Sequence, residues 1–127
     1  MICIKICAEA ELYSKFDYSY GGLAAQHELL VVQGNRMSHL LSGGSHKGRA
    51  VEVLKQHLQQ PEVAVLGLGD SPNDLPMLEA VDQAVVVPDA QGPHPVFQEA
   101  IASGRFALAP APHGEGWARA VNQWLNS

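Results

Sequence analysis

The residues best suited to chemistry lie in one run, Gly67-Leu68-Gly69-Asp70-Ser71-Pro72-Asn73-Asp74. Two carboxylates and one amide follow each other at spacings of three and four. At the end of a strand and the start of a helix, such residues converge within one turn. Their oxygens are hard donors that suit Mg²⁺. Asp70 and Asp74 are therefore the candidate metal ligands, and Asn73 is a candidate contact to substrate. Plainer readings stay open beside these. Asp74 could cap the helix beginning Leu75-Pro76, and Asp70 could be an ordinary turn residue.

The surrounding pattern says how the run would be held. Val63 to Leu68 and Ala84 to Val87 are short, unbroken apolar segments, and Phe106 to Ala109 is a third strand. Helical spacing runs over Lys47 to Gln59, with Ala50, Val51, Leu54 and Leu58 on one face, and again over Asp74 to Val81, Pro95 to Ser103 and Glu115 to Leu125. Unbroken apolar strands alternating with amphipathic helices imply an α/β fold, with a parallel sheet covered on both faces. In such sheets ligands bind beyond the carboxyl ends of the strands, which is where Gly69-Asp70 falls.

The stretch before residue 43 has a different rhythm. Residues 2 to 7 read as a strand and residues 8 to 20 as a helix. Glu28 to Val32 and Arg36 to Leu41 read as two strands joined in a hairpin by Gln33-Gly34-Asn35. The segment Ser42-Gly43-Gly44-Ser45-His46 is a junction, so residues 1–42 and 43–127 are expected to form separate parts. Two other strings fail as motifs. Gly67-Leu68-Gly69 does not continue as Gly-x-Gly-x-x-Gly, because position 72 is Pro. Gly43-Gly44-Ser45-His46-Lys47 is not a nucleophile elbow, because Lys47 stands where Gly is needed.

Bulk properties narrow the class. The chain has 127 residues, which fits one compact domain; 46% are hydrophobic and 17% charged, so it is not a disordered composition. A formal net charge of −5 with no Lys/Arg run argues against nucleic acid or an anionic membrane as partner. No apolar run reaches membrane-spanning length. The apolar start lacks a basic flank and soon meets Glu9 and Glu11, unlike a signal peptide, so a cytoplasmic location is expected. Cys3 and Cys7 point to one face of a strand without meeting, which favours buried thiols over a disulfide or a zinc site.

Gly-Asp-x-x-Asn-Asp directly after an apolar strand resembles the fourth signature motif of haloacid-dehalogenase-type (HAD) phosphatases with the larger type of cap. The resemblance implies a partial HAD-like parallel sheet with flanking helices, preceded by a half-cap of strand, helix and hairpin. It also implies Mg²⁺ as cofactor. Lys47 opens the helix before the motif strand, as the phosphate-neutralising lysine of that family does; its plain alternative is a solvated surface lysine. Gln33-Gly34-Asn35-Arg36 with His39, and His113-Gly114-Glu115-Gly116-Trp117, resemble stretches of the mannosyl-3-phosphoglycerate phosphatase branch, in its C-terminal half. On that resemblance Arg36 would contact an anionic group and His39 would hydrogen-bond to substrate. Alternatively, Arg36 blunts a strand edge and His39 faces solvent or is satisfied in the cap. Trp117 is read as packing for the last helix.

The family's nucleophile motif, Asp-x-Asp, has no match among Asp17, Asp70, Asp74, Asp82 and Asp89. Glu9-Ala10-Glu11 follows an apolar strand as that motif does, but Glu is one methylene longer, and in-line attack tolerates little misplacement. Three functions follow. The first is a phosphatase-like protein without catalysis of its own. The second is a Mg²⁺-dependent phosphomonoester hydrolase acting on a sugar-phosphoglycerate, with its nucleophile half supplied by another chain. The third is an unrelated small α/β binding module. A phosphorylated small molecule is the expected ligand of the first two. An apolar edge at 63–68 would be covered by a homodimer or by re-pairing with residues 2 to 7.

Overall fold

Apolar residues recur along Leu29–Gln33 and Ser38–Ser42, and these segments pair antiparallel as β2 and β3, with Val31 opposite Leu40 and Val32 opposite His39. Ile4–Ile6 forms β1 on the other side of β3, so the sheet order is β1-β3-β2. The computed structural model describes residues 4–6, 26–33, 38–59 and 62–127. The helix expected over 8 to 20, the turn at Gly34-Asn35, Arg36, Glu9, Glu11, Cys3 and Cys7 lie outside those residues. The chain divides into two compact units, Met1–His46 and Lys47–Ser127. Gly43 goes with the first, where its N–H donates to the Glu28 carbonyl at 2.7 Å. One expectation is corrected here. Ile4 and Ile6 pair with Leu40 and Ser38, not with the strand that precedes Asp70.

The second unit is the α/β body read from the sequence. Lys47–Leu58 is α1, Leu66–Gly69 is β4, Leu75–Ala80 is α2 behind a 3₁₀ turn at Pro72–Asp74, and Gln83–Val86 is β5. A second 3₁₀ turn at Pro95–Phe97 leads into α3, Gln98–Ala102. Then come β6, Ala107–Leu108, and α4, His113–Leu125. The three strands are parallel in the order β4-β5-β6, with Leu66 opposite Gln83 and Val85 opposite Ala107.

Alternation along β5 divides the core between the two faces of the sheet. Ala84 and Val86 point toward Leu78, Phe97, Ala100 and Phe106, beneath α2 and α3. Val85 and Val87 point the other way, with Ala109 and Ala120, beneath α4. Phe97 is fully buried and meets Phe106 edge-on, ring centroids 6.4 Å apart.

Two local outcomes differ from the sequence reading. The apolar run 63–68 does not pair along its whole length. The Val65 carbonyl accepts from the N–H groups of Asp82 and Gln83, and the Val65 N–H donates to the Asp82 carboxylate at 2.8 Å, so the ladder starts only at Leu66. The apolar stripe of α1 is also largely uncovered: Ala50, Leu54 and Leu58 are exposed, Leu54 by 50%.

Candidate functional site

The carboxyl ends of β4 and β5 open onto a cavity of about 470 Å³. Its walls come from Lys47 at the start of α1, Asp70 and Asp74 after β4, Val87 after β5, and His113 and Trp117 on α4. This is the position at which open parallel sheets bind ligands.

Gly69 ends β4, and its role is room rather than a left-handed turn; among the described glycines only Gly44, Gly92 and Gly104 have positive φ. A Cβ at Gly69 would stand 2.5 Å from the Cβ of Asp74 and 3.0 Å from its Cγ. Glycine lets the Asp74 side chain fold back over the strand end. The sheet continues beside it, because the Val87 N–H donates to the Gly69 carbonyl at 2.8 Å.

Asp74 stands at the N-cap position of α2, as one plain reading had it, but its side chain makes no cap hydrogen bond to that helix. Ser71, in extended conformation at φ −141° and ψ 161°, is the cap of the 3₁₀ turn, and Asp74 is the third residue within it. The Asp74 carboxylate then reaches back. Its Oδ2 accepts the Asp70 N–H at 3.0 Å and the Ser71 N–H at 3.3 Å. Its Oδ1 accepts from the Lys47 ammonium. This is the backward arm of a capping box, with Asp in the usual Glu position. Burial alone would raise the Asp74 carboxyl. The Lys47 hydrogen bond and the Asp70 and Ser71 N–H groups outweigh it and hold the group below its ordinary value. Asp74 is thus a buried anion, and the lysine it holds has a side chain 52% exposed.

Asp70 is exposed at the mouth of the cavity, and Asn73 is half-buried. The Ser71 hydroxyl donates to the Asn73 amide oxygen, which leaves the amide NH₂ as the donor end. Ser71 itself was not singled out in the sequence; its signal was the Ser-x-x-Asp spacing that marks a helix start. Of the candidate residues, Lys47, Asp70, Asn73 and Asp74 belong to one hydrogen-bonded neighbourhood. His39 lies mid-strand in β3 of the other unit, opposite Val32 and Lys5.

The reading of Trp117 as packing for α4 is overturned. Its residue surface is 52% exposed and it lines the cavity, while Gly116 and Ala120 are the α4 residues that bury. Among the described residues no group of three or more His, Cys, Asp or Glu could hold a metal ion, and no helix is long and apolar enough to cross a membrane.

A family model described as haloacid dehalogenase-like hydrolase matches residues 2–96. The chain is 32% identical over 107 residues to a glucosyl-3-phosphoglycerate/mannosyl-3-phosphoglycerate phosphatase of Persephonella marina, covering 82% of this chain and 38% of that protein. It is 36% identical over 91 residues to a protein of the same description from Methanococcoides burtonii, covering 70% of this chain and 32% of that one. The chain therefore spans 38% and 32% of the lengths of these two curated relatives.

Proposed function

The chain belongs to the haloacid dehalogenase-like hydrolases, and from that premise we propose that it carries the cation- and phosphate-holding part of a phosphomonoester hydrolase site, without autonomous catalysis. The observation that carries this reading is the Lys47–Asp74 pair. It fixes an ammonium at the mouth of a cavity that Asp70 also lines. Family membership sets aside the reading of an unrelated binding module.

The donor set decides how Mg²⁺ would be held. Mg²⁺ commonly binds through one or two carboxylates together with phosphate oxygens and water. In this reading Asp70 and Asp74 are the carboxylates that would hold the ion, and Asp74 also positions Lys47 through Oδ1. When bound, the ion would offset negative charge on the phosphate. The Lys47 ammonium would neutralise a phosphate oxygen, and the Asn73 NH₂ would donate to one. Given the names of the relatives, the proposed ligand is a sugar-phosphoglycerate.

No Asp-x-Asp occurs in the 127 residues. In this reading hydrolysis uses an aspartate nucleophile from outside these 127 residues, whether elsewhere in a longer chain or on a second polypeptide. Among the described strands β4 is an edge of its sheet, which suits pairing with such a partner or with a second copy in a homodimer. A cytoplasmic setting is part of the same proposal. The test is calorimetry and turnover on the purified chain with Mg²⁺ and a panel of phosphomonoesters. Expected are Mg²⁺-dependent phosphate binding lost in Asp70→Ala and Lys47→Ala, and no turnover. Turnover that vanishes in Asp70→Ala would overturn the non-catalytic part of the proposal. Failure of the wild-type chain to bind phosphate would remove the site itself.

A further inference from the structure

We propose that His113 and Trp117 form an aromatic wall that receives the organic body of the phosphate ester, with the Trp117 indole stacking on the apolar face of a sugar ring. The inference rests on the reading that the Lys47–Asp70 end holds phosphate. It is carried by observations on α4, which the sequence reading assigned to the core.

The first observation is size. A cavity of about 470 Å³ is within the range that receives a small organic ligand, and a phosphate group alone would leave most of it empty. The second is polarity. Lys47, Asp70 and Asp74 make the lining charged, while Trp117 makes the part contributed by α4 aromatic. A ligand matched to both has an anionic head and a body with an apolar face.

The third observation is that Trp117 is not needed to hold α4 down. The helix seats on the sheet through small residues, Gly116 and Ala120, beside Ala109. Gly116 passes so close to the Ala111 carbonyl that no Cβ fits between them. That contact sets the helix in one rotation, and the next residue, Trp117, lines the cavity. Residues four apart share a helix face, so His113 stands one turn before it on the same wall.

The fourth observation is strain. His113 has φ 53°, in the left-handed region that non-glycine residues rarely occupy. It is pinned there by its N–H, which donates to the Pro88 carbonyl at 2.9 Å, just past the end of β5. A strained residue fixed at a cavity rim is the kind of outlier from which a binding role can be argued. Here it places an imidazole, a hydrogen-bonding ring, beside the indole.

The test is calorimetry on the whole chain in Mg²⁺ with two probes, inorganic phosphate and mannosyl-3-phosphoglycerate. Trp117→Ala is expected to weaken the glycosyl ester by about tenfold or more and inorganic phosphate by less than about twofold, with Trp117→Phe recovering most of the loss. Trp117 is half exposed, so its truncation leaves the fold intact, which circular dichroism checks. Equal ester affinity in wild type and Trp117→Ala, or an equal drop for both probes, overturns the proposal. If phosphate binding responds to Lys47→Ala while ester binding ignores Trp117→Ala, only the aromatic wall fails. If neither probe binds the wild-type chain, the phosphate site fails and the wall with it.

Discussion

The Lys47 ammonium donates to Oδ1 of Asp74 across 27 residues of sequence, joining the first residue of α1 to the turn that opens α2. The two ends of this bond differ in environment: the aspartate side chain is 7% exposed and the lysine side chain 52%. One carboxylate therefore organises the backbone after β4 through Oδ2 and aims a cation into the cavity through Oδ1.

Stability should respond unequally to the two partners. Asp74→Ala strands two backbone N–H groups as well as the lysine, and a cost of roughly 2–3 kcal/mol is expected from losing charge-assisted bonds at a buried acceptor. Lys47→Ala leaves the N–H groups bonded to Asp74, and the lost cation is half in water, so a cost of about 1 kcal/mol is expected. Urea unfolding of both variants is the measurement. Equal losses would show that Oδ2 anchors nothing.

Acid should weaken the fold through the same carboxylate. The folded-state Asp74 carboxyl lies below its unfolded value, so its contribution is fully present above the unfolded pKa of about 3.9 and is lost as pH falls through the folded value. Asp82 acts in the same direction, because a hydrogen bond from Lys55 and the Val65 N–H lower it too. Urea midpoints for the wild type should fall on acidification below about pH 4. Asp74→Asn should flatten part of that slope, and Asp74→Asn with Asp82→Asn more of it. An unchanged slope in the double variant would contradict both assignments.

Three glycine substitutions should separate by space alone. Gly69→Ala drives a methyl into Asp74, and Gly116→Ala drives one into the Ala111 carbonyl. Each should cost about 1–3 kcal/mol, the second more because backbone cannot yield as a side chain can. Gly114→Ala meets nothing within 4 Å and sits in a helix, where alanine is favoured. It should be neutral or stabilising. Thermal melts of the three variants test the order.

The core makes a simpler forecast. Phe97 is 0% exposed and packs in one cluster with Ala84, Val86 and Phe106. Phe97→Ala should cost about 3–5 kcal/mol, the largest loss among the single substitutions considered. A loss smaller than that of Gly69→Ala would mean that the α2–α3 face is not where the unit's stability lies.

Much of this architecture was legible because period and composition report burial directly. The unbroken runs around Leu66–Gly69 and Gln83–Val86 announced a sheet covered on both faces, and α1 begins at Lys47 as its spacing indicated. Less legible was what each face meets. Ala50, Leu54 and Leu58 share a stripe, as read, but a stripe does not say what lies over it. Trp117 was read as packing for the last helix; the obstruction at Gly116 that turns it toward the cavity depends on a carbonyl five residues back, which no periodicity encodes. Asp74 shows the same gap. Motif spacing identified the residue types at the site but not that both of its oxygens would already be engaged.

The parallel order β4-β5-β6 also bears on how the cavity comes into being. Parallel neighbours pair only after a crossover, so the β4–β5 ladder closes a loop around α2 and the β5–β6 ladder another around α3. Lys47 meets Asp74, and His113 meets Pro88, across comparable separations. High contact order of this kind slows folding relative to a helical bundle of the same length. It also means that no short piece of the Lys47–Ser127 unit holds the cavity in miniature. A ligand that binds there reports on completion of the whole Lys47–Ser127 unit, and its affinity is coupled to global rather than local unfolding.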